Sequence, residues 1–86
     1  MRKITFSPDA YKDYLEWLEK DRKVFTKITN LILEASKNPS SGTGKPELLK
    51  HKLSGLWSRR INQEHRLVYS VTDSTIEIIS CKYHYT

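Results

Sequence analysis

The 86-residue chain carries 15 Lys plus Arg against 10 Asp plus Glu, for a formal net charge of +5, and a single cysteine, Cys81. At this size only about 60 to 70% of the unfolded chain's surface is buried, so the chain reads as one small domain without room for a deep cofactor pocket between lobes. A lone thiol cannot staple a secreted scaffold and points to a reducing cytoplasm, while apolar runs no longer than Leu31-Ile32-Leu33 or Leu67-Val68-Tyr69 exclude a membrane span or signal-peptide core.

Arg2 to Phe6 reads as a short strand with Ile4 and Phe6 on one side. Ser7-Pro8-Asp9 then opens a helix, because Ser caps, Pro suits the first helical position and an early Asp complements the helix dipole. Tyr11, Tyr14, Leu15 and Leu18 follow at helical spacing and predict a buried stripe, with the helix ending near Glu19 or Lys20. Asp21 caps a second helix, in which Val24, Ile28, Leu31, Ile32 and Ala35 repeat at the same spacing until Asn38-Pro39 stops it. Pro39 to Gly44 is a loop that delivers the chain to Lys45-Pro46-Glu47.

From Leu56 the pattern turns to strands: Leu56 to Ile61, His65 to Val71, and Thr75 to about Tyr85, with turns at Asn62-Gln63-Glu64 and Thr72-Asp73-Ser74. Short turns between neighbours imply antiparallel pairing. The predicted architecture is α+β, two amino-terminal helices packed on a twisted antiparallel sheet, as a single domain over residues 1–86. By alternation, Leu67, Tyr69 and Val71 with Ile79, Cys81 and Tyr83 face the helices, and Arg66, Val68 and Ser70 with Ile78, Ser80, Lys82 and His84 line an open face. Arg60 falls on that open face, and Arg59 on the opposite side with Trp57 and Ile61.

Of the +5 charge, +4 sits in residues 45–66, where Lys45, Lys50, Lys52, Arg59, Arg60 and Arg66 face only Glu47 and Glu64. Such a stretch is either a solvated surface or a landing site for a polyanion, nucleic acid being the commonest. Composition does not separate the two.

The open face combines two guanidinium groups, the imidazole of His84 and the carboxylate of Glu47. RNA carries its own nucleophile, the 2′-hydroxyl, so its cleavage needs no metal: a base takes the 2′ proton, a cation stabilises the phosphoryl oxygens, and an acid protonates the departing 5′ oxygen. Glu, Arg and His fill those roles in that order. Each also has a plainer reading. Glu47 could pair with Lys45 or Lys50, the arginines could be solvated strand positions rather than phosphate clamps, and His84 could be an exposed terminal polar group. Three histidines without thiol or carboxylate spacing argue against zinc, and His51 and His65 carry no evident purpose. Trp57, Tyr69 and Cys81 read as core, and Tyr85 as a possible base-stacking ring.

Taken together, Gly44-Lys45-Pro46-Glu47-Leu48-Leu49-Lys50-His51, Leu53-Ser54-Gly55-Leu56-Trp57-Ser58-Arg59-Arg60-Ile61, Glu64-His65-Arg66-Leu67-Val68-Tyr69 and Cys81-Lys82-Tyr83-His84-Tyr85 closely resemble the YoeB (Txe) toxins of the RelE-like superfamily, in order and over essentially the whole chain. The resemblance implies a microbial-ribonuclease-like α+β fold and a toxin of a type II toxin-antitoxin module that cleaves messenger RNA in the ribosomal A site, without a cofactor. It implies Glu47 as general base, Arg66 as phosphate stabiliser and His84 as general acid. Lys45, Lys50, Arg60 and Lys82 become substrate-binding positions, with Tyr85 beside the acid. Implied partners are a YefM-like (Phd/YefM) antitoxin with an acidic, partly disordered tail, the ribosome with its message, and a second copy of the chain in those members that dimerise. Leu48 replaces a proline common in the family, and Thr86 extends past the tyrosine that often ends it. Two rival readings stand beside this one: a noncatalytic basic RNA- or protein-binding module, and the ParE-like branch of the superfamily, which lacks the clustered Glu-Arg-His set.

Overall fold

Ser7 and Asp21 set the two helices. The Ser7 Oγ accepts the Ala10 N–H at 3.2 Å and its hydroxyl donates to the Ile79 carbonyl at 3.1 Å, so the cap of α1 (Pro8–Lys20) also ties the helix to the sheet. Asp21 ends α1 by donating its N–H to the Trp17 carbonyl and starts α2 (Arg22–Lys37) by accepting from Lys23 and Val24. One residue closing one helix and opening the next makes the hairpin tight.

The inward face of α2 is the predicted one, with Ile28, Leu31, Ile32 and Ala35 buried and Val24 packed against them. That of α1 is rotated from the predicted stripe. Tyr11 and Leu15 are 51% and 44% exposed, and Ala10, Tyr14 and Trp17 meet the core instead. The rotation is set by side chains with a polar handle. The Trp17 indole N–H donates to the Cys81 carbonyl at 3.0 Å, and Tyr14, stacked on Phe25 with ring centroids 4.5 Å apart, shares a hydrogen bond with the Thr29 hydroxyl.

The structure, a computed structural model, describes residues 1–83. Against the helices lies a five-stranded sheet of β1 (Lys3–Phe6), β2 (Glu47–Leu48), β3 (Trp57–Arg60), β4 (Arg66–Val71) and β5 (Thr75–Ser80), in the spatial order β1-β5-β4-β3-β2. The α+β class is as predicted. The sheet is mixed rather than wholly antiparallel, because β1 adds to β5 in parallel, Lys3 opposite Thr75 and Phe6 opposite Ile78. The helical hairpin supplies the crossover that parallel pairing requires. The residues expected only as loop around Glu47 form the edge strand β2, and β5 stops at Ser80, short of the predicted end near Tyr85, which lies outside the described residues.

A bulge corrects the predicted facing of β5. Val68 pairs with Ser80 but Tyr69 pairs with Ile78, so Ile79 is the extra residue and the inward series becomes Ile76, Ile78 and then Cys81. Tyr83, expected inward, is 58% exposed. Cys81 is fully buried, and burial, then the nearby Asp13 carboxylate, pushes its thiol up to about 12. It is packing, not a nucleophile.

Candidate functional site

Strand register decides which charged groups share a face. Glu47 lies opposite Ser58, Ser58 opposite Val68 and Val68 opposite Ser80, while Arg60 lies opposite Arg66. Residues directly across a ladder project from the same side, as do residues two apart in a strand. Glu47, Arg60 and Arg66 therefore stand on the face away from the helices, where alternation predicts the two arginines. Two strand spacings across and two residues along place the Glu47 and Arg66 Cα atoms roughly 12 Å apart, close enough for both side chains to reach one phosphodiester between them. The face is not fully open, for Ser58 and Val68 are 4% and 5% exposed, and with buried Leu49 they lie outside the main core cluster.

These charges are left uncompensated. Among the described residues no ion pair involves Glu47, Arg60 or Arg66, so the plainer reading of Glu47 as a partner for Lys45 or Lys50 is not the arrangement found. Two arginines directly opposed on a ladder repel each other, a cost that an anion between them would offset. The Arg66 guanidinium is aimed by its own turn, its Nη1 donating to the carbonyls of Asn62 at 2.7 Å and His65 at 3.0 Å. Arg60 is exposed, as are Lys45 and Lys50. The segment Glu47 to Leu53, including Lys50, lines a cavity of about 450 Å³ beside β2. Lys82, expected on this face, turns instead toward α1, its Nζ 4.0 Å from the Glu16 carboxylate and 5.2 Å from the Tyr83 ring centroid.

Arg59 carries no substrate role in this arrangement, although it stands in the basic stretch. Its side chain is wholly buried and holds the loop that leads to Glu47: Nη1 donates to Glu34 Oε1 at 3.0 Å and the Thr43 carbonyl at 3.1 Å, Nη2 to the carbonyls of Asn38 and Ser41, and Nε to the Tyr69 hydroxyl at 3.0 Å. Tyr69 passes its own proton to the Pro39 carbonyl. The Thr43 N–H and hydroxyl, and then Arg59, hold the Glu34 carboxyl below its ordinary value. Five of the six basic side chains of residues 45–66 thus remain available on the surface, and the sixth builds the scaffold.

Gly44 completes that scaffold. Its carbonyl accepts the Arg60 N–H at 2.7 Å at φ +87°, and a Cβ there would stand 3.0 Å from the Arg60 carbonyl oxygen and 3.1 Å from the Arg59 Cβ. Gly44→Ala should cost about 2 to 3 kcal/mol, from the left-handed backbone plus a clash with backbone that cannot yield. Gly55→Ala, at φ +92° with open space around it, should cost only about 1 kcal/mol. Urea denaturation of both variants tests the difference, and equal losses would show that the close approach at Gly44 is not what matters.

Among the described residues three non-glycine positions have positive φ: Lys45 at 51°, His51 at 59° and Tyr83 at 62°. They fall two residues before Glu47, one after Lys50 and one before His84. Strained backbone gathers where geometry is held for a purpose. His84, Tyr85 and Thr86 lie outside the described residues, but the structure fixes the chain up to Tyr83. The Arg66 N–H donates to the Tyr83 carbonyl at 3.1 Å, and the Tyr83 N–H donates to His65 Nδ1 at 2.7 Å. His65, passed over in the sequence, is 7% exposed and lies edge-on to Trp17 with ring centroids 4.9 Å apart. The available signal was its parity, since His65, Leu67 and Tyr69 alternate onto the apolar side.

A family model described as YoeB-like toxin of bacterial type II toxin-antitoxin system matches residues 6–85. The chain belongs to the YoeB-like toxin family. Toxin YoeB of Escherichia coli (strain K12) is 52% identical over 83 residues, spanning 96% of this chain and 99% of that relative. Among solved structures, the YoeB dimer from Staphylococcus aureus superposes with a TM-score of 0.90 at 52% identity, covering 98% of each chain. The heterotetrameric YoeB-YefM toxin-antitoxin complex from Staphylococcus aureus gives a TM-score of 0.89 at 51% identity over 99% of each. The YoeB resemblance read from the four segments is thereby borne out across the chain. The departure at Leu48 sits on β2, half exposed, within the segment that lines the cavity, and the one at Thr86 lies outside the described residues.

Proposed function

We propose that this single-domain toxin is a ribosome-dependent endoribonuclease that cuts messenger RNA at the A site by general acid–base catalysis, independently of a metal. The observation that carries the reading is the shared face of Glu47, Arg60 and Arg66, with all three charges uncompensated among the described residues. The Glu47 carboxylate takes the proton of the 2′-hydroxyl, the 2′ oxygen attacks the adjacent phosphorus, and the bond from phosphorus to the 5′ oxygen breaks. Arg66 stabilises charge gathering on the phosphoryl oxygens, and His84 gives its proton to the departing 5′ oxygen. The products are a 2′,3′-cyclic phosphate and a 5′-hydroxyl. Arg60, Lys45 and Lys50 hold the backbone on either side, and Tyr85 stacks beside the acid.

The same basic surface accounts for regulation. An acidic antitoxin tail of the YefM type would neutralise residues 45–66 and compete with RNA for them, and the YoeB-YefM heterotetramer from Staphylococcus aureus supports an antitoxin of that type as the partner. The solved YoeB dimer makes a second copy of this chain a further partner. Action on ribosome-bound message would put the protein in the cytoplasm; no helix among the described residues is long and apolar enough to cross a membrane.

The test is purified protein with programmed ribosomes, the cut mapped relative to the A site and the new ends analysed. A cut within the A-site codon ending in a cyclic phosphate is expected. Intact message at saturating protein would overturn the reading in favour of a noncatalytic binding module.

A further inference from the structure

Tyr83 is an odd residue to find in left-handed backbone. Its φ of 62° is uncommon for a bulky side chain, and its ring is more than half exposed, so burial of the ring does not impose the conformation. What holds it is the start of β4: the Arg66 N–H takes its carbonyl and His65 Nδ1 takes its N–H. We propose that His65 is a positioning residue, whose unprotonated Nδ1 locks Tyr83 in this conformation and so sets the backbone immediately before His84. The inference rests on the reading of His84 as the general acid.

The surroundings of His65 suit that task. A backbone N–H can only donate, so Nδ1 must be bare and the ring proton must sit on Nε2. The Glu64 carboxylate, 3.6 Å from Nε2, favours the proton there. Trp17 packs edge-on against the ring and is itself held by the Cys81 carbonyl, two residues before Tyr83. The Tyr83 ring closes the other side at 5.7 Å. Imidazole orientation is thus over-determined by two aromatics and a carboxylate, and its acceptor is spent on one backbone N–H. Arg66 occupies the next position in the chain, so the phosphate-holding guanidinium and the support for the acid's segment are set by adjacent residues of one strand end.

Two substitutions separate the acceptor from the ring. His65→Phe keeps an aromatic against Trp17 and removes Nδ1, whereas His65→Asn loses the ring but keeps an acceptor the same number of bonds from Cβ. On programmed ribosomes His65→Phe should cut roughly 100-fold more slowly, the scale of loss expected for a small misplacement, with ribosome binding unchanged, and His65→Asn should recover most of the rate. Tyr83 amide exchange should speed at least about 10-fold in His65→Phe and return in His65→Asn. Nitrogen-15 NMR of the unmodified protein should show His65 Nδ1 bare and Nε2 protonated. A protonated Nδ1, unchanged Tyr83 exchange in His65→Phe, or wild-type cleavage by that variant would each overturn the proposal. If the wild-type protein cuts no message, it is the ribonuclease reading that fails. The amide and NMR readouts then still decide whether Nδ1 holds Tyr83.

Discussion

Replacing Arg59 by Met should remove about 3 to 5 kcal/mol of stability and lower Tm by roughly 15 to 30 °C, a large share of what so small a chain possesses. The loss does not come mainly from the ion pair, because the Glu34 side chain is 34% exposed and partly screened. It comes from the carbonyls of Asn38, Ser41 and Thr43, which lose the donors that order the loop, together with the Tyr69 hydroxyl's partner. Glu34→Gln retains an acceptor for Arg59 and Thr43 and should cost far less. Thermal and urea unfolding of the two variants test this, and an Arg59→Met protein within about 1 kcal/mol of wild type would show that the loop is held by something else. Because the folded-state Glu34 carboxyl titrates below its ordinary 4.5, its contribution is complete above that value and is lost as pH falls through the lowered one. Tm should therefore fall more steeply below pH 4.5 in wild type than in Glu34→Gln.

Glu47→Gln should reduce message cleavage by at least about 100-fold while leaving Tm and ribosome binding where they are. Gln keeps the shape and the β2 backbone but cannot take a proton, and the exposed Glu47 has no ion-pair partner among the described residues whose loss would disturb the fold. Arg66→Gln should lose a comparable factor, with about 1 kcal/mol of stability from the forfeited turn contacts. Single-turnover cleavage on programmed ribosomes measures both. Wild-type rates in Glu47→Gln would remove it as the base, and the assignment of roles on this face would have to be rebuilt.

What could be read from the sequence is what neighbours in the chain decide. Ser7 and Asp21 cap helices through groups two or three residues away, and the apolar repeat of α2 needs no knowledge of the sheet. Alternation also placed Arg60 and Arg66 on one face, because β3 and β4 pair through a short turn that preserves parity, while Glu47 joins them through the unforeseen edge strand β2. The parallel pairing of β1 with β5 spans both helices and the three intervening strands and leaves no local trace. The bulge at Val68 and Tyr69 is a single unpaired residue, which composition does not signal, and it moved Ile78 to the core, whereas Tyr83 turns outward beyond the end of β5, in left-handed backbone. Alternation put Arg59 on the side of Trp57 and Ile61, but its partners, from Glu34 to Thr43, come from elsewhere in the chain and left its task unread. His65 was missed for the same reason, its contact being the backbone of a residue 18 positions on.

The pairing of β1 with β5 has a consequence for synthesis. Ser7 waits for Ile79, 72 residues later, and Arg2 for Thr72, so β1 has no strand neighbour among the described residues until β5 has been made. Such long-range closure folds slowly compared with local contacts. A nascent chain therefore stays open along that edge, with the helices facing an unfinished sheet, until β5 is available to close it.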